Sequence, residues 1–344
     1  MNDSGMARAR MTDVARLAGV SLKSVSRVVN DEAHVSPALR ARVEAAVAAL
    51  SYVPDPAARS LAGTRTFTIG LLFDNPSPNY TMKVIDGAYR LCHGRGYHLR
   101  IDHLDSTAGE ARFRADMEAV LRHGRTDGFV LTPPLTDDPL VLDLLEQAGI
   151  RYARLAPVVA RPGAPTVGID DAAAGAAVAQ RLWDLGHRRI AMVNGPASHG
   201  QAGLRRAGFL ARLHALDPAL VVAEDAGGFL FEGGIAAGTR LLAAQGDLTA
   251  IFATNDDMAA GVMAGCAQAG RRVPGDISVH GFDDSWIALA VWPYLATVHQ
   301  PIADMAGEAV ALLLDRDFAE APARASTFDF ALVERGSIGP APAC

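Results

Sequence analysis

The chain has 344 residues, half of them hydrophobic, and no apolar run of transmembrane length, which excludes a helical membrane protein and leaves room for two or three domains with large cores. Cys92, Cys266 and Cys344 are too few and too far apart for a disulfide framework or a thiolate metal site, and Met1 to Arg10 carries no apolar stretch or small-residue cleavage site of a secretory signal, so the expected location is the cytoplasm. The net charge of −6 is unevenly spread: residues 1–66 hold nine Lys or Arg against six Asp or Glu, and the remainder holds 23 against 32, a basic end on an acidic body.

The basic end opens with TDVARLAGVSLKSVSRVVN, Thr12 to Asn30. Thr12 reads as an N-cap, Asp13 suits the positive end of a helix, and Val14, Leu17 and Ala18 recur at the spacing of one buried face. Gly19 supplies a turn, Val20 points back inward, and Ser21 is placed to cap a second helix with Val25 and Val28 buried. This is a helix-turn-helix pattern, and Leu22, Lys23, Ser26, Arg27 and Asn30 fall on the face opposite the buried stripe, where side chains reach major-groove base edges. After the polar DEAH loop, Ser36-Pro37 marks a third helix with Val43, Val47 and Leu50 as its apolar stripe. Prolines near Tyr52 end it. The segment from Ala57 to Gly63 is too short to hold a helix alone and reads as a conditional linker.

From Phe67 short apolar runs alternate with helical stretches. FTIGLLF, HLRIDHL, DGFVLTPP and IRYARLA form one series; RIAMVNG, LVVAED, AIFAT and ISVHGFD form a second, with helices between, including Ala172 to Leu185, Leu204 to Leu216 and Gly233 to Gln245. Strand, helix, strand at this spacing predicts parallel sheets with right-handed crossovers, arranged as two Rossmann-like lobes. Ligands in such sheets sit at the carboxyl ends of the strands. That rule selects Asp74 to Tyr80 after the first strand, Ser198 and Arg205 after RIAMVNG, Asn255-Asp256 after AIFAT, and Asp283-Asp284 after ISVHGF. Taken singly each has a plainer reading: Asn255-Asp256 caps the next helix, Arg205 is a solvated helix charge, and Phe229 belongs to the core.

The wording of these segments is specific. DVARLAGVSLKSVSRVVN with VSPALRARVEAAVAALSYVPDPAARSLAG closely resembles the DNA-binding headpiece of the LacI/GalR family of bacterial transcription regulators. The resemblance continues through IGLLF, LGHRRIAMVNGP, FATNDDMAAG, VPGDISVHGFDD and TVHQP, from Met11 to about Gly336. It implies a helix-turn-helix headpiece over 10–56, a hinge helix over 57–66, and a periplasmic-binding-protein-like α/β core. In that core, residues 67–167 with 297–336 form one lobe, 168–296 form the other, and 337–344 are a tail. DNA contact then falls to Thr12, Ser21, Leu22, Lys23, Ser26, Arg27, Asn30 and His34 in the headpiece and to Ala58 and Leu61 in the hinge, with Leu61 entering the minor groove.

By the same resemblance Arg205, Asn255 and Asp283 hydrogen-bond an effector and Phe229 lies against it, with Asp74, Asn79, Tyr80 and Ser198 completing the site. The residue types suit a sugar, since Arg, Asn and Asp pair with vicinal hydroxyls and an aromatic face covers the apolar side of the ring. Ala156-Pro157 departs from the Asp-Arg pair common at that strand end in the family, and the DNPSPNY loop is similar to that of a subgroup associated with β-glucosides.

No P-loop, GxSxG elbow, HExxH or paired-cysteine spacing points to an enzyme, and His93, His98 and His103 span a helix end and a strand without converging. A periplasmic sugar-binding protein shares the two lobes but has no headpiece. The expectation is therefore a homodimeric, sugar-responsive regulator, most simply a repressor, needing no cofactor or metal. With no leucine heptads after Leu314, no coiled-coil tetramer is expected.

Overall fold

The computed structural model describes residues 9–29, 35–52, 65–315 and 324–342. The chain divides between Phe67 and Thr68 into two compact units. The first holds three helices, α1 (Met11–Ala18), α2 (Leu22–Val29) and α3 (Pro37–Ala49). Val14, Ala15, Ala18, Val25, Val28, Val43 and Ala46 form its core, with Tyr52 closing one side. Two local expectations are corrected. Thr12 is an exposed residue inside α1, because Asp13 reaches back to accept from the backbone N–H of Arg10 (3.0 Å) and the helix begins earlier. Leu17 is 56% exposed, its place on the buried stripe being taken by Ala15. Gly19 ends α1 in the left-handed region, and Arg42 of α3 donates to the carbonyls of Ala18 (2.7 Å) and Gly19 (3.1 Å), fixing the turn between the two helices.

The second unit contains two parallel sheets. Strands β1 (Thr68–Phe73), β2 (His98–His103), β3 (Gly128–Leu131), β4 (Tyr152–Leu155), β5 (Thr166–Gly168) and β11 (Ala325–Thr327) form the first, in the order β11-β5-β4-β3-β1-β2. Strands β6 (Ile190–Asn194), β7 (Ala223–Ala226), β8 (Ala250–Ala253) and β9 (Ser278–His280) form the second, in the order β7-β6-β8-β9. Their central strands are buried on both faces because helices cover both sides. In the first lobe α4 (Pro78–Gly94) and α11 (Ile302–Leu314) cover Ile69, Leu71 and Val130, while α5 (Glu110–Arg122) and α6 (Pro139–Gln147) cover Leu72, Phe129 and Leu131.

The lobe boundary differs from the expected one. The short pair β10 (Thr297–His299) and β12 (Ala331–Val333) is antiparallel, and Val298, Phe330, Leu332 and Ile338 pack into the core of the second lobe. Ser337 donates to Val279 O (2.6 Å) and accepts from Ala296 N (2.8 Å). Residues 297–299 and 330–339 thus belong to the second lobe, and after α11 the chain forms two short strands, β11 joining the sheet of the first lobe and β12 pairing with β10 in the second. The chain crosses between lobes three times.

Candidate functional site

The cleft between the lobes is lined where strands end, as parallel sheets require. From the first lobe come Asn75, Ser77 and Tyr80 after β1, Pro133 after β3 and Ala156 after β4. From the second come His199, Gln201 and Arg205 after β6, Phe229 after β7, Asn255 after β8 and Asp283 after β9; Gln300 follows β10. Ala156, Phe229 and Asp283 all have positive φ (44°, 63° and 108°), conformations costly for residues with a Cβ and concentrated where backbone is held for function.

Arg205 is the centre of this site. It sits on α8 (Gly200–Leu216), which packs so closely on α7 (Asp171–Asp184) that a Cβ on Gly175 would lie 2.1 Å from the Arg205 carbonyl oxygen. That approach brings Asp171, at the start of α7, within 2.8 Å of Arg205 Nε. Arg205 Nη1 donates to Thr254 O (2.8 Å) and lies 3.5 Å from Asp283 Oδ1, and the guanidinium stacks on the Phe282 ring with its carbon 3.6 Å from the centroid. Arg205 and Asp283, both read from the sequence as effector contacts, thus pair with each other. Gln300 Nε2 donates to the same Asp283 oxygen (2.6 Å).

Burial dominates the electrostatics. Desolvation pushes the Asp283 carboxyl up to about 6 against the pull of Arg205, and it raises Asp171 against the same cation. Burial likewise drives the Tyr80 hydroxyl upward, with Asp283 adding to the effect, and lowers His199 to about 4, so its imidazole is neutral near pH 7. His199 Nε2 is buried with no hydrogen-bond partner among the described residues, and its ring stands edge-on to Phe229 at 5.2 Å. Phe229 itself is seated because position 195 is glycine: a Cβ there would lie 2.2 Å from its ring.

Three consecutive residues after β8 divide the work of holding the cleft. Asn255 caps α10 (Asp256–Gln268) by accepting from Met258 N (3.0 Å), and its amide donates to Phe229 O (3.2 Å). Asp256 accepts from Ser285 N (2.7 Å) and Thr297 Oγ1 (2.6 Å), pinning the loop that carries Asp283; burial raises its carboxyl well above the usual range. Asp257 reaches the other lobe, accepting from Ser77 Oγ (2.5 Å) and from the Asn79 amide. Lys83 of α4 donates across the cleft to the carbonyls of Asp283 (3.0 Å) and Asp284 (2.6 Å), and Gln201 donates to Ala156 O. With these contacts made, the cavity measures about 20 Å³, room for roughly one water.

Of the expected effector residues, Tyr80, Arg205, Phe229, Asn255 and Asp283 line the cleft. Asn79 lies one step behind it, on Asp257. Asp74 and Ser198 do not line it: Asp74 turns to the β2 side, accepting from Ser106 N (2.9 Å) and Ser106 Oγ, and Ser198 is exposed, with its neighbour His199 facing inward instead. His199, Gln201 and Gln300 were missed. Gln201 stands one turn before Arg205 on α8, where helical spacing from Arg205 was the available signal, and His199 is the residue that precedes that helix.

On the headpiece, Ser21 caps α2 by accepting from Ser24 N (3.1 Å), and Leu22 and Lys23, the first two residues of the helix, are exposed. Ser26 and Arg27 are half-buried on the same helix. Asn30, His34, Ala58 and Leu61 lie outside the described residues.

Residues 10–55 match the model for bacterial regulatory proteins of the lacI family, and residues 179–338 match a periplasmic binding protein-like domain. The ribose operon repressor of Escherichia coli strain K12 is 36% identical over 315 residues, covering 90% of this chain and 93% of that protein. The structure of the transcriptional regulator CelR in complex with cellobiose is similar at 30% identity and a TM-score of 0.71, covering 96% of this chain and all of that one. The lac repressor dimer bound to operator and the anti-inducer ONPF is similar at 26% identity and a TM-score of 0.76, covering 96% of this chain and 99% of that one.

Proposed function

The chain belongs to the lacI family of bacterial regulatory proteins, and from that premise we propose that it is a dimeric, cytoplasmic repressor whose hold on its operator is set by a neutral sugar or glycoside bound in the cleft. It works by binding DNA and a small effector, as its relatives do, and not by catalysis. The lac repressor dimer on its operator supports two copies acting together, since a two-fold dimer favours a two-fold site. Among the described residues no helix is long and apolar enough to cross a membrane.

The observation that carries the ligand class is the charge balance of the cleft. Arg205 is already engaged by Asp171 and Asp283, and Asp256 and Asp257 are buried nearby with their carboxyls raised by desolvation. A phosphorylated effector would bring like charge to these acids, whereas sugar hydroxyls donate to them. Phe229 and Tyr80 offer ring faces for the apolar side of a pyranose or furanose. A thermal-shift series tests this with D-ribose, cellobiose and aryl glucosides against sugar phosphates; a ligand at ~100 times its Kd stabilises by roughly 2.7 kcal/mol. Stabilisation by the phosphates alone would overturn the assignment. Selection from a random DNA library should return a pseudo-palindrome.

A further inference from the structure

Resting on the reading of the cleft as the effector site, we infer that Asp257 is a positioning residue that clasps the two lobes together and ties that clasp to the effector contact Asn255. Its carboxylate holds Ser77 and Asn79 of the first lobe from its place in the first turn of α10 in the second. Ser77 is simultaneously the N-cap of α4, accepting from Tyr80 N (3.2 Å), so the proton it gives Asp257 fixes the lone pair that anchors the helix carrying Tyr80 and Lys83. On the other side, the Asn255 amide lies 3.5 Å from Asp257 Oδ2. One carboxylate therefore sits between a cleft-lining amide of one lobe and the cap of the cleft-lining helix of the other.

Two properties make this a switchable contact. Asp257 is 5% exposed, and a buried carboxylate deprived of its donors is left unsatisfied, so the clasp is either made or strongly missed. The contact spans the cleft, so any parting of the lobes separates Ser77 and Asn79 from Asp257. A hydroxyl that draws the Asn255 amide toward the ligand then changes what Asp257 is offered when the lobes close again. Effector chemistry at Asn255 thus reaches α4 through a single side chain.

The test needs no effector. Cys92 and Cys266 are buried, so in a full-length Cys344→Ser background nitroxide labels go to one introduced cysteine on each lobe, Gln147→Cys and Ala244→Cys. With doubly labelled protomers diluted in an excess of unlabelled protein, so that a labelled dimer carries one pair, the ligand-free protein should give one dominant inter-label distance. Asp257→Ala should raise the population at a second distance by about tenfold, the scale of a lost charge-assisted hydrogen bond. The pair Ser77→Ala and Asn79→Ala, made on the opposite lobe, should produce the same shift, and combining all three should add nothing further. If Asp257→Ala fails to fold, the Ser77/Asn79 variant carries the same prediction alone. An unchanged distribution, or additive shifts in the triple variant, overturns the clasp. Failure of every sugar in the thermal-shift series would instead count against the effector reading and leave these distances unaffected.

Discussion

Replacing Arg205 with alanine removes a cation that the buried Asp171 and Asp283 share, along with a hydrogen bond to Thr254 O and the stack on Phe282. Both carboxylates are then left in a site only a few per cent exposed to solvent. Breaking a buried pair by deleting one partner costs about 3–5 kcal/mol, because the remaining charge keeps its desolvation penalty without its attraction. For a unit of this size that lowers the midpoint of thermal unfolding by roughly 6–20 °C. Removing the whole network together, as Arg205→Met with Asp171→Asn and Asp283→Asn, should recover much of the loss, since the penalty lies in the orphaned charges. Urea unfolding followed by far-ultraviolet circular dichroism measures both variants. If Arg205→Ala stays within about 1 kcal/mol of the wild type, the cleft network contributes nothing to the fold and the reasoning fails.

Burial holds the Asp283 carboxyl at about 6, above its unfolded value, so the folded protein binds more protons between roughly pH 4 and 6 and this group's contribution to stability falls as the pH rises through that window. Asp283→Asn should therefore lose about 1–3 kcal/mol of that pH dependence relative to the wild type, with one pH unit equivalent to about 1.36 kcal/mol; parallel stability profiles for the two proteins would contradict the assignment. A Cβ at position 195 would strike the Phe229 ring, so Gly195→Ala should cost about 1–3 kcal/mol and weaken effector binding at least as much as Phe229→Leu, as calorimetry with whichever sugar stabilises the protein would show. Lys23 is exposed at the opening of α2, and a good base contact discriminates by about 1–3 kcal/mol, so Lys23→Ala should alter the consensus recovered from a random DNA library. Recovery of the wild-type consensus would remove Lys23 from operator choice.

Local spacing was enough to read the helix-turn-helix, the alternation of strands and helices, and the rule that ligand-facing residues follow the strands. The caps at Ser21, Ser36 and Asn255 are local hydrogen bonds between near neighbours in the chain, and the structure makes all three. Tyr80, Arg205, Phe229, Asn255 and Asp283 reach the cleft because parallel strands end on the same side of their sheet, a geometric consequence of the βαβ pattern. What spacing could not supply was the direction of side chains in irregular segments. In the turn before α8 it is His199 and not Ser198 that faces inward, its ring against the edge of Phe229. Asp74 is drawn away by Ser106, 32 residues on, and residues 325–333 are divided between the lobes because β5 recruits β11 in one and β10 recruits β12 in the other. Asp257, beside the cleft-lining Asn255, reads as an ordinary helix-start acid; its partners Ser77 and Asn79 lie about 180 residues away, and only the closing of one lobe on the other brings them together.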